Sequence, residues 1–316
     1  MDFETYQCLR FSRQGRVLTV ALNRPEQRNA VNAQLHTELS RVWADLQRDA
    51  DSDVIVLTGE GAAFCAGGDL AWMQSHVDDP AAFDRMAREG KDIAFGQIDL
   101  EKPLIAKVNG HATGLGASLA LLSDIVLISA DAKIGDPHVS VGLVAGDGGA
   151  LIWPQLVGYA KARKYLFTGD LLNAAEAERI GLVTEVHPRT PPPPRWPSAW
   201  PTAPRWQCVT AMLNKSSRVW APWFGMGCKA HNHSHSPAMA RRLQRRRPPK
   251  TGLTAPRGTC SALPYTKITA NLPLRALFHA HFDAGLAYEC LSNRSADHAE
   301  AVAAFRERRQ PRFSGR

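Results

Sequence analysis

Residues 102–135 read KPLIAKVNGHATGLGASLALLSDIVLISADAKIG, and this stretch decides the fold class. KPLIAKVNG (102–110) is a short apolar run that predicts a buried strand. HATGLGASLALLSD opens as a glycine turn before an apolar helix, and IVLISA (125–130) predicts the next strand. Strand, helix and strand in this order are typical of an α/β protein whose βα turns face one site.

The same alternation extends outward on both sides of this stretch. RVLTVAL (16–22) and DVIVLTG (53–59) predict strands, and a helix with an Asn cap is predicted between them in NAVNAQLHTELSRVWADLQRD. A helical or irregular region is expected to follow through about residue 99. Further helices are predicted in ALIWPQLVGYAKARKYLFTG, in NAAEAERIGLV and in the two C-terminal stretches TKITANLPLRALFHAHFDAGLAYECLS and SADHAEAVAAFRERRQPRFSGR.

One segment breaks the pattern. Residues 189–263 contain PPPP, many tryptophans and RRLQRRRPP, they lack acidic side chains, and they keep no helical or strand period. Such a composition cannot easily bury a core, so we expect disorder there. An inserted segment and an out-of-frame translation of GC-rich coding sequence both explain it. The expected organisation is therefore a core at 1–188, this anomalous segment at 189–263, and a C-terminal helical region at 264–316.

Charge and cysteine usage narrow the class of protein. The net charge of +8 comes from residues 186–282, which carry 15 basic and no acidic side chains; the rest carries 23 basic against 30 acidic. The charge is therefore no sign of a nucleic-acid partner. Six scattered cysteines without CxxC spacing indicate reduced thiols and no zinc site. With neither a secretory signal nor a membrane span in the pattern, we expect a cytoplasmic protein.

Two glycine-bearing turns are the candidate site. AFCAGGDL (63–70) and NGHATGLGASL (109–119) each follow a predicted strand. Glycine frees backbone N–H groups to point into a cavity, which is how an oxyanion hole is built, although each turn taken alone could be only a tight turn. Neither turn has the spacing of a dinucleotide-binding fingerprint.

Five blocks together resemble the crotonase (enoyl-CoA hydratase/isomerase) superfamily. They are LNRPEQRNAVN, VIVLTGEGAAFCAGGDL, the stretch 102–135, VGLVAGDGGALIWPQLVGYAKARKYLFTGDLLNAAEAERIGLVTEV and SADHAEAVAAFRERRQPRF, in the family's order. The resemblance covers 16–187 nearly continuously and about 266–313. It implies an α/β spiral of ββα units with C-terminal helices, and a homotrimer or hexamer assembled through those helices.

The resemblance also implies an acyl-CoA site without a separate cofactor, because coenzyme A is part of the substrate. The thioester carbonyl would be held by the backbone N–H groups of Gly68 and Leu115. The positions that match the CoA channel of the family are Arg28, Ala30, Ala66, Asp69 and Leu70.

The acid–base residues depart from the family's pattern. Where family hydratases have two glutamates, this chain has Ser118 and His138. His138 could act as a base near neutral pH, or could be a buried histidine bonded to a carbonyl. Ser118 could be only a packing residue. Asp147 in AGDGG could reach the cavity as a base or merely cap the next helix, and Asp136 is less attractive because Asp-Pro marks a turn.

These observations predict an enoyl-CoA hydratase. An enoyl-CoA isomerase, which needs one base, and a non-catalytic acyl-CoA-binding homologue are the alternatives. No metal site is expected, since the histidines of HNHSHS (from 231 to 235) lie in the anomalous segment without acidic or cysteine partners in a defined geometry.

Overall fold

The computed structural model describes residues 3–188 and 262–315. The predicted disorder of 189–263 therefore lies outside the described residues, except at Ala262 and Leu263. These two residues begin a helix, so the C-terminal helical region starts two residues earlier than predicted.

The described residues form an α/β fold with two sheets. The strands are β1 (Leu9–Gln14), β2 (Val17–Leu22), β3 (Val54–Gly59), β4 (Leu104–Val108), β5 (Ala112–Thr113), β6 (Ile125–Ser129), β7 (Lys133–Gly135), β8 (Leu172–Asn173) and β9 (Glu185–His187). The larger sheet has the order β1-β2-β3-β4-β6-β9, and the smaller sheet has the order β5-β7-β8. In the larger sheet only the β1–β2 pair is antiparallel. The predicted strands β2, β3, β4 and β6 are confirmed.

The helices described by the structure follow the strands in the predicted order. They are α1 (Ala33–Arg48), α2 (Leu70–Asp78), α3 (Pro80–Asp99), α4 (Leu115–Leu121), α5 (Gly149–Thr168), α6 (Ala174–Arg179), α7 (Ala262–Asn293) and α8 (Ala296–Glu307). The Asn32 side chain caps α1 by accepting from the Leu35 N–H at 2.9 Å, as predicted. α5 is interrupted at Gly158, where the backbone turns to a φ of +75°. None of these helices is both long and apolar enough to cross a membrane.

The core lies between the parallel sheet and the helices. β3 has the burial expected of a central strand, because five of its six residues are buried on the two faces of the sheet. Trp43 of α1 and Phe64 are among the largest fully buried side chains. Phe278 and Phe282 of α7 are also fully buried and stack edge-to-face on Phe95 of α3, so the C-terminal helix shares the core of the first 188 residues.

The sheet order fixes where a site can form. Leu22 pairs with Gly59, and Val108 pairs with Ile128, so β2, β3, β4 and β6 end at one edge of the larger sheet. The two glycine-bearing turns follow β3 and β4 and therefore meet at that edge. In open parallel sheets, the carboxyl ends of the strands are where ligands bind.

Candidate active site

The two glycine-bearing turns run side by side. The Thr113 N–H donates to the Cys65 carbonyl oxygen at 3.0 Å, and the Cys65 N–H donates to the His111 carbonyl oxygen at 3.1 Å. Gly67 and Gly114 face each other in this pairing: a Cβ atom added at Gly114 would lie 3.8 Å from the Gly67 Cα atom. Both residues have positive φ, +81° and +54°, which only glycine adopts readily.

Two backbone amides are left free by this arrangement. Gly68 follows Gly67 and Leu115 follows Gly114, so each of these amides is one residue from the point where the two turns approach each other. Among the described residues neither N–H has a hydrogen-bond partner, and Gly68 is exposed. Two backbone donors without a partner in the described chain are therefore available near this point, and an oxyanion hole requires such donors.

The close approach of α4 to the first turn depends on Gly116. A Cβ atom added at Gly116 would lie 2.6 Å from the Cys65 Cβ atom and 2.6 Å from the Cys65 carbonyl oxygen. Both atoms are held in the buried interior, and Cys65 is fully buried. A side chain at position 116 would therefore push α4, and the Leu115 amide at its start, away from Gly68.

We expect Gly116→Ala to lower the free energy of unfolding by about 2 kcal/mol, because overpacking a tightly packed contact costs about 1–3 kcal/mol. Urea denaturation measures the change. The matched control is Gly90→Ala in α3, where an added Cβ atom would make only ordinary contact with Leu286 at 3.8 Å. Gly90→Ala should be as stable as the unaltered chain or more stable, since alanine favours helix. Equal stability of the two variants would refute the packing argument.

A cluster of ionisable side chains lies beside the two amides. Asp136 follows β7, His138 begins a short 3₁₀ helix (His138–Val141), and Asp147 precedes α5. The imidazole of His138 contacts the second turn, since a Cβ atom added at Gly114 would lie 3.4 Å from His138 Cε1. The structure thus brings the predicted residues His138 and Asp147 together, next to Gly114.

Asp136 orients His138. Its Oδ1 accepts the His138 backbone N–H at 3.3 Å and is also hydrogen-bonded to the ring nitrogen Nδ1. Asp136 is buried, and its turn at Asp136-Pro137 serves to support the histidine. The Asp-Pro pair predicts only a turn, so the hydrogen bond of Asp136 with the imidazole is not evident from the sequence. With Nδ1 engaged, Nε2 is the ring nitrogen left to face a ligand.

Asp147 is held on the opposite side of the imidazole. Its Oδ1 accepts from the Ser118 hydroxyl at 3.1 Å and from the Gly149 N–H at 3.3 Å. Its Oδ2 lies 3.8 Å from His138 Nε2 and has no hydrogen-bond partner among the described residues. Ser118 lies three residues after Leu115, so the hydroxyl that holds Asp147 is about one turn from the start of α4.

The electrostatics of the cluster favour a charged histidine. Burial alone would lower the pKa of His138, but the negative charges of Asp136 and Asp147 outweigh burial and raise that pKa well above its usual range. Burial raises the pKa of Asp147, and the charge of His138 opposes that shift. At neutral pH the cluster therefore holds an imidazolium between two carboxyl groups, which makes His138 an acid under those conditions and Asp147 a stronger base than an exposed aspartate.

The donor atoms of Asp136, His138 and Asp147 lie within 4.8 Å of one another, so this is a group in the described chain that could hold a metal ion. The Nδ1 atom of His138 is, however, already hydrogen-bonded to Asp136 Oδ1, so only Nε2 of that side chain could bind an ion. The histidines of HNHSHS, where no metal site is expected, lie outside the described residues.

The residues predicted to line a CoA channel gather next to the first turn. The Arg28 carbonyl oxygen accepts the Ala66 N–H at 3.1 Å, and both side chains are exposed. Ala30 is buried. Arg28 has a left-handed backbone with a φ of +53°, at the end of a short 3₁₀ helix.

Asp69 and Leu70 stand at the start of α2. Asp69 caps this helix by accepting from the Ala71 N–H at 3.0 Å, and it pairs with the Arg24 guanidinium at 3.0 Å. Arg24 also donates to the Ala30 carbonyl oxygen. The carboxylate of Asp69 therefore already has structural partners, and Leu70 is half-buried. Sequence reasoning missed Arg24, which ties the Ala30 backbone to Asp69.

One more carboxyl group reaches the cluster from α7. Glu289 is buried; when ionised it raises the pKa of His138, and the charge of Asp147 in turn raises the pKa of Glu289. The sequence offered a signal for it, because Glu289 lies on a stripe of residues at helical spacing in α7. All members of this stripe are buried: Phe278, Phe282, Leu286, Glu289 and Asn293. An acid on that stripe has to face the protein interior.

Comparison with known proteins agrees with this architecture. Residues 12–191 match the family described as Enoyl-CoA hydratase/isomerase. A protein of Mycobacterium tuberculosis named as a probable enoyl-CoA hydratase is 37% identical over 185 residues, which are 58% of this chain and 70% of that protein. The crotonyl-CoA hydratase of Syntrophomonas wolfei is 34% identical over 184 residues, which are 57% of this chain and 69% of that protein.

A solved structure extends the likeness to the C-terminal helices. The crystal structure of an enoyl-CoA hydratase/isomerase from Mycobacterium paratuberculosis has a TM-score of 0.70 and 29% sequence identity, and it covers 94% of this chain and 97% of its own. The predicted fold, a crotonase-like α/β fold with C-terminal helices, is confirmed. The chain belongs to the enoyl-CoA hydratase/isomerase (crotonase) family.

Proposed function

We propose that this chain is an enoyl-CoA hydratase that adds water to an α,β-unsaturated acyl-CoA thioester. The observation that carries the proposal is the pair formed by Asp147 and His138, whose Oδ2 and Nε2 atoms lie 3.8 Å apart beside Gly114. Family hydratases have glutamates at the positions of Ser118 and His138. Here the Ser118 hydroxyl donates to the Asp147 carboxylate, and we infer that this carboxylate takes the role of the first glutamate.

The proposed reaction uses this pair as base and acid. The thioester oxygen is bound by the Gly68 and Leu115 amides, which stabilise the negative charge that develops on it. The Asp147 carboxylate takes a proton from water as the oxygen of that water bonds to C3 of the substrate. The electrons of the double bond move to the thioester oxygen as an enolate. The His138 imidazolium then protonates C2, and transfer of a proton from Asp147 to Nε2 restores both groups.

The remaining predicted residues position the rest of the substrate. We propose that Arg28 contacts the CoA phosphates, since it is exposed beside Ala66 and a guanidinium suits phosphate geometry. Ala30, Ala66, Asp69 and Leu70 would line the channel, with Asp69 acting through the start of α2.

We also propose self-association through the C-terminal helices, as a homotrimer or hexamer. Tyr288, Leu291 and Phe305 of α7 and α8 are each more than 60% exposed, which is unusual for large apolar side chains and suits a surface that a second copy covers.

The test is the absorbance of the conjugated thioester after crotonyl-CoA is added. A fall in absorbance with formation of 3-hydroxybutyryl-CoA supports hydration. An isomerase is the second candidate, because Asp147 is one carboxylate with an unpartnered oxygen among the described residues and a single base suffices to shift a double bond. Adding 3-butenoyl-CoA would then raise the absorbance. Binding of crotonyl-CoA in a titration without either change would identify a non-catalytic homologue and contradict the proposal.

A further inference from the structure

Glu289 is a buried acid that the proposed reaction does not use. It is 6% exposed and lies on the buried stripe of α7, in register with Phe282 and Leu286. The same helix has another acidic residue, Asp283, but that side chain is exposed and forms an ion pair with Lys91. Burying a carboxyl group costs free energy unless it is hydrogen-bonded or paired, so the surroundings of Glu289 call for an explanation.

The surroundings are the loop that carries Asp147. α7 packs directly on Gly146: a Cβ atom added there would lie 2.4 Å from the Gly285 carbonyl oxygen and 2.7 Å from Glu289 Oε2. Glycine at 146 therefore makes room for the Glu289 carboxyl group next to Asp147. Glu289 Oε2 is buried and has no hydrogen-bond partner among the described residues.

Glu289 is neutral when the site works at neutral pH. Burial raises its pKa to about 8, the charges of Asp147 and Asp136 act in the same direction, and the charge of His138 opposes them. Among the described residues, these three are the ionisable groups on other elements whose charges act on Glu289. Cys290 is its neighbour on α7. The charge of His138 also acts on His298 of α8, whose Nδ1 is hydrogen-bonded to the Val141 carbonyl oxygen at 2.6 Å.

We propose that Glu289 is a positioning residue of the active site, which acts through Asp147 and His138 and links the docking of the C-terminal helix to the acid–base pair. Its kinetic consequence rests on the proposed hydratase function. The neutral carboxyl group leaves Asp147 free to ionise. Once Glu289 ionises, its negative charge opposes both the Asp147 carboxylate and the enolate that the reaction forms.

The sign of the pH effect follows from this. Below pH 8 Glu289 is protonated, and above pH 8 it carries a charge that slows the unaltered enzyme. Glu289→Gln keeps a neutral group of the same shape at every pH. We therefore expect the ratio of kcat/KM of Glu289→Gln to that of the unaltered enzyme to rise about tenfold between pH 7 and pH 9, because the neutral fraction of a group with a pKa of about 8 falls about tenfold over that interval.

The matched control is Asp283→Asn, which removes an acid earlier on the same helix, at the surface. Its ratio should stay constant over the same pH range. A flat ratio for Glu289→Gln as well would overturn the proposal. If Glu289→Gln does not fold, Glu289→Met supplies a neutral side chain of similar length for the same measurement.

A second readout does not depend on activity. The pKa of the His138 imidazolium is measured by NMR on protein with ¹⁵N-labelled histidine, and the His138 signal is assigned by its loss in His138→Gln. Because ionised Glu289 favours the imidazolium, we expect Glu289→Gln to lower that pKa by about one unit. A lowered pKa in a protein without hydratase activity would support the placement of Glu289 and refute the proposed function. An unchanged pKa would refute the placement.

Discussion

Replacing Asp147 with asparagine lowers kcat for crotonyl-CoA hydration by about a thousandfold, because general base catalysis contributes about 10²–10⁴ in rate. Asparagine has the same shape and can still accept from the Ser118 hydroxyl and the Gly149 N–H, which are the two partners of Asp147 Oδ1. The variant should therefore keep the fold and lose only the ability to take a proton from water. The rate is measured as the decrease in the absorbance of the conjugated thioester.

Two controls separate chemistry from structure in this experiment. Asp170→Asn changes an exposed aspartate beyond the other end of α5 and should leave the rate unchanged. Ser118→Ala removes one of the hydrogen bonds that hold Asp147 and should cost less than Asp147→Asn. Hydration by Asp147→Asn at the rate of the unaltered enzyme would exclude Asp147 as the base.

Replacing His138 with glutamine lowers kcat by about a hundredfold, since it removes the proton donor to C2. The loss has a second physical source. The charge of His138 opposes the rise in the pKa of Asp147, so a neutral residue at 138 leaves Asp147 harder to ionise in its buried position. Both effects act in the same direction. We therefore expect the rate of His138→Gln to increase with pH above neutrality, as more of Asp147 ionises.

His187→Gln is the matched control for this variant. His187 also pairs with a carboxylate two residues before it, Glu185, at 3.1 Å, but its side chain is 42% exposed at the end of the sheet. Its replacement should leave kcat unchanged. A rate for His138→Gln within twofold of the rate for His187→Gln would rule out His138 as the acid.

The long elements of the fold could be predicted from the sequence, because their periods are regular. β2, β3, β4 and β6 are apolar runs, and α1 has its cap and its buried residues at helical spacing. β1 was not predicted: in LRFSRQ only Leu9 is buried, as expected of an edge strand that exposes most of its side chains. β5, β7, β8 and β9 have two or three residues each, too few to show a period.

The candidate site was anticipated where it follows a local pattern and missed where it depends on packing. The glycines of the two turns indicated free amides, and AGDGG pointed to Asp147. The support that Asp136 gives to His138 is formed by a turn that sequence alone identifies only as Asp-Pro. Glu289 is distant in sequence from Asp147 and His138, and its close approach to Gly146 requires α7 to dock on the core. The role of Arg24 likewise depends on the meeting of the β2–α1 loop with α2.

The most direct test of the proposed mechanism is kcat for crotonyl-CoA in the double variant Asp147→Asn/His138→Gln, compared with the two single variants. If the two side chains work as one acid–base pair, removing the second partner adds little once the first is gone. We predict that the double variant is within about threefold of Asp147→Asn alone. Losses that multiply to about 10⁵, or a double variant as fast as the unaltered enzyme, would contradict the account.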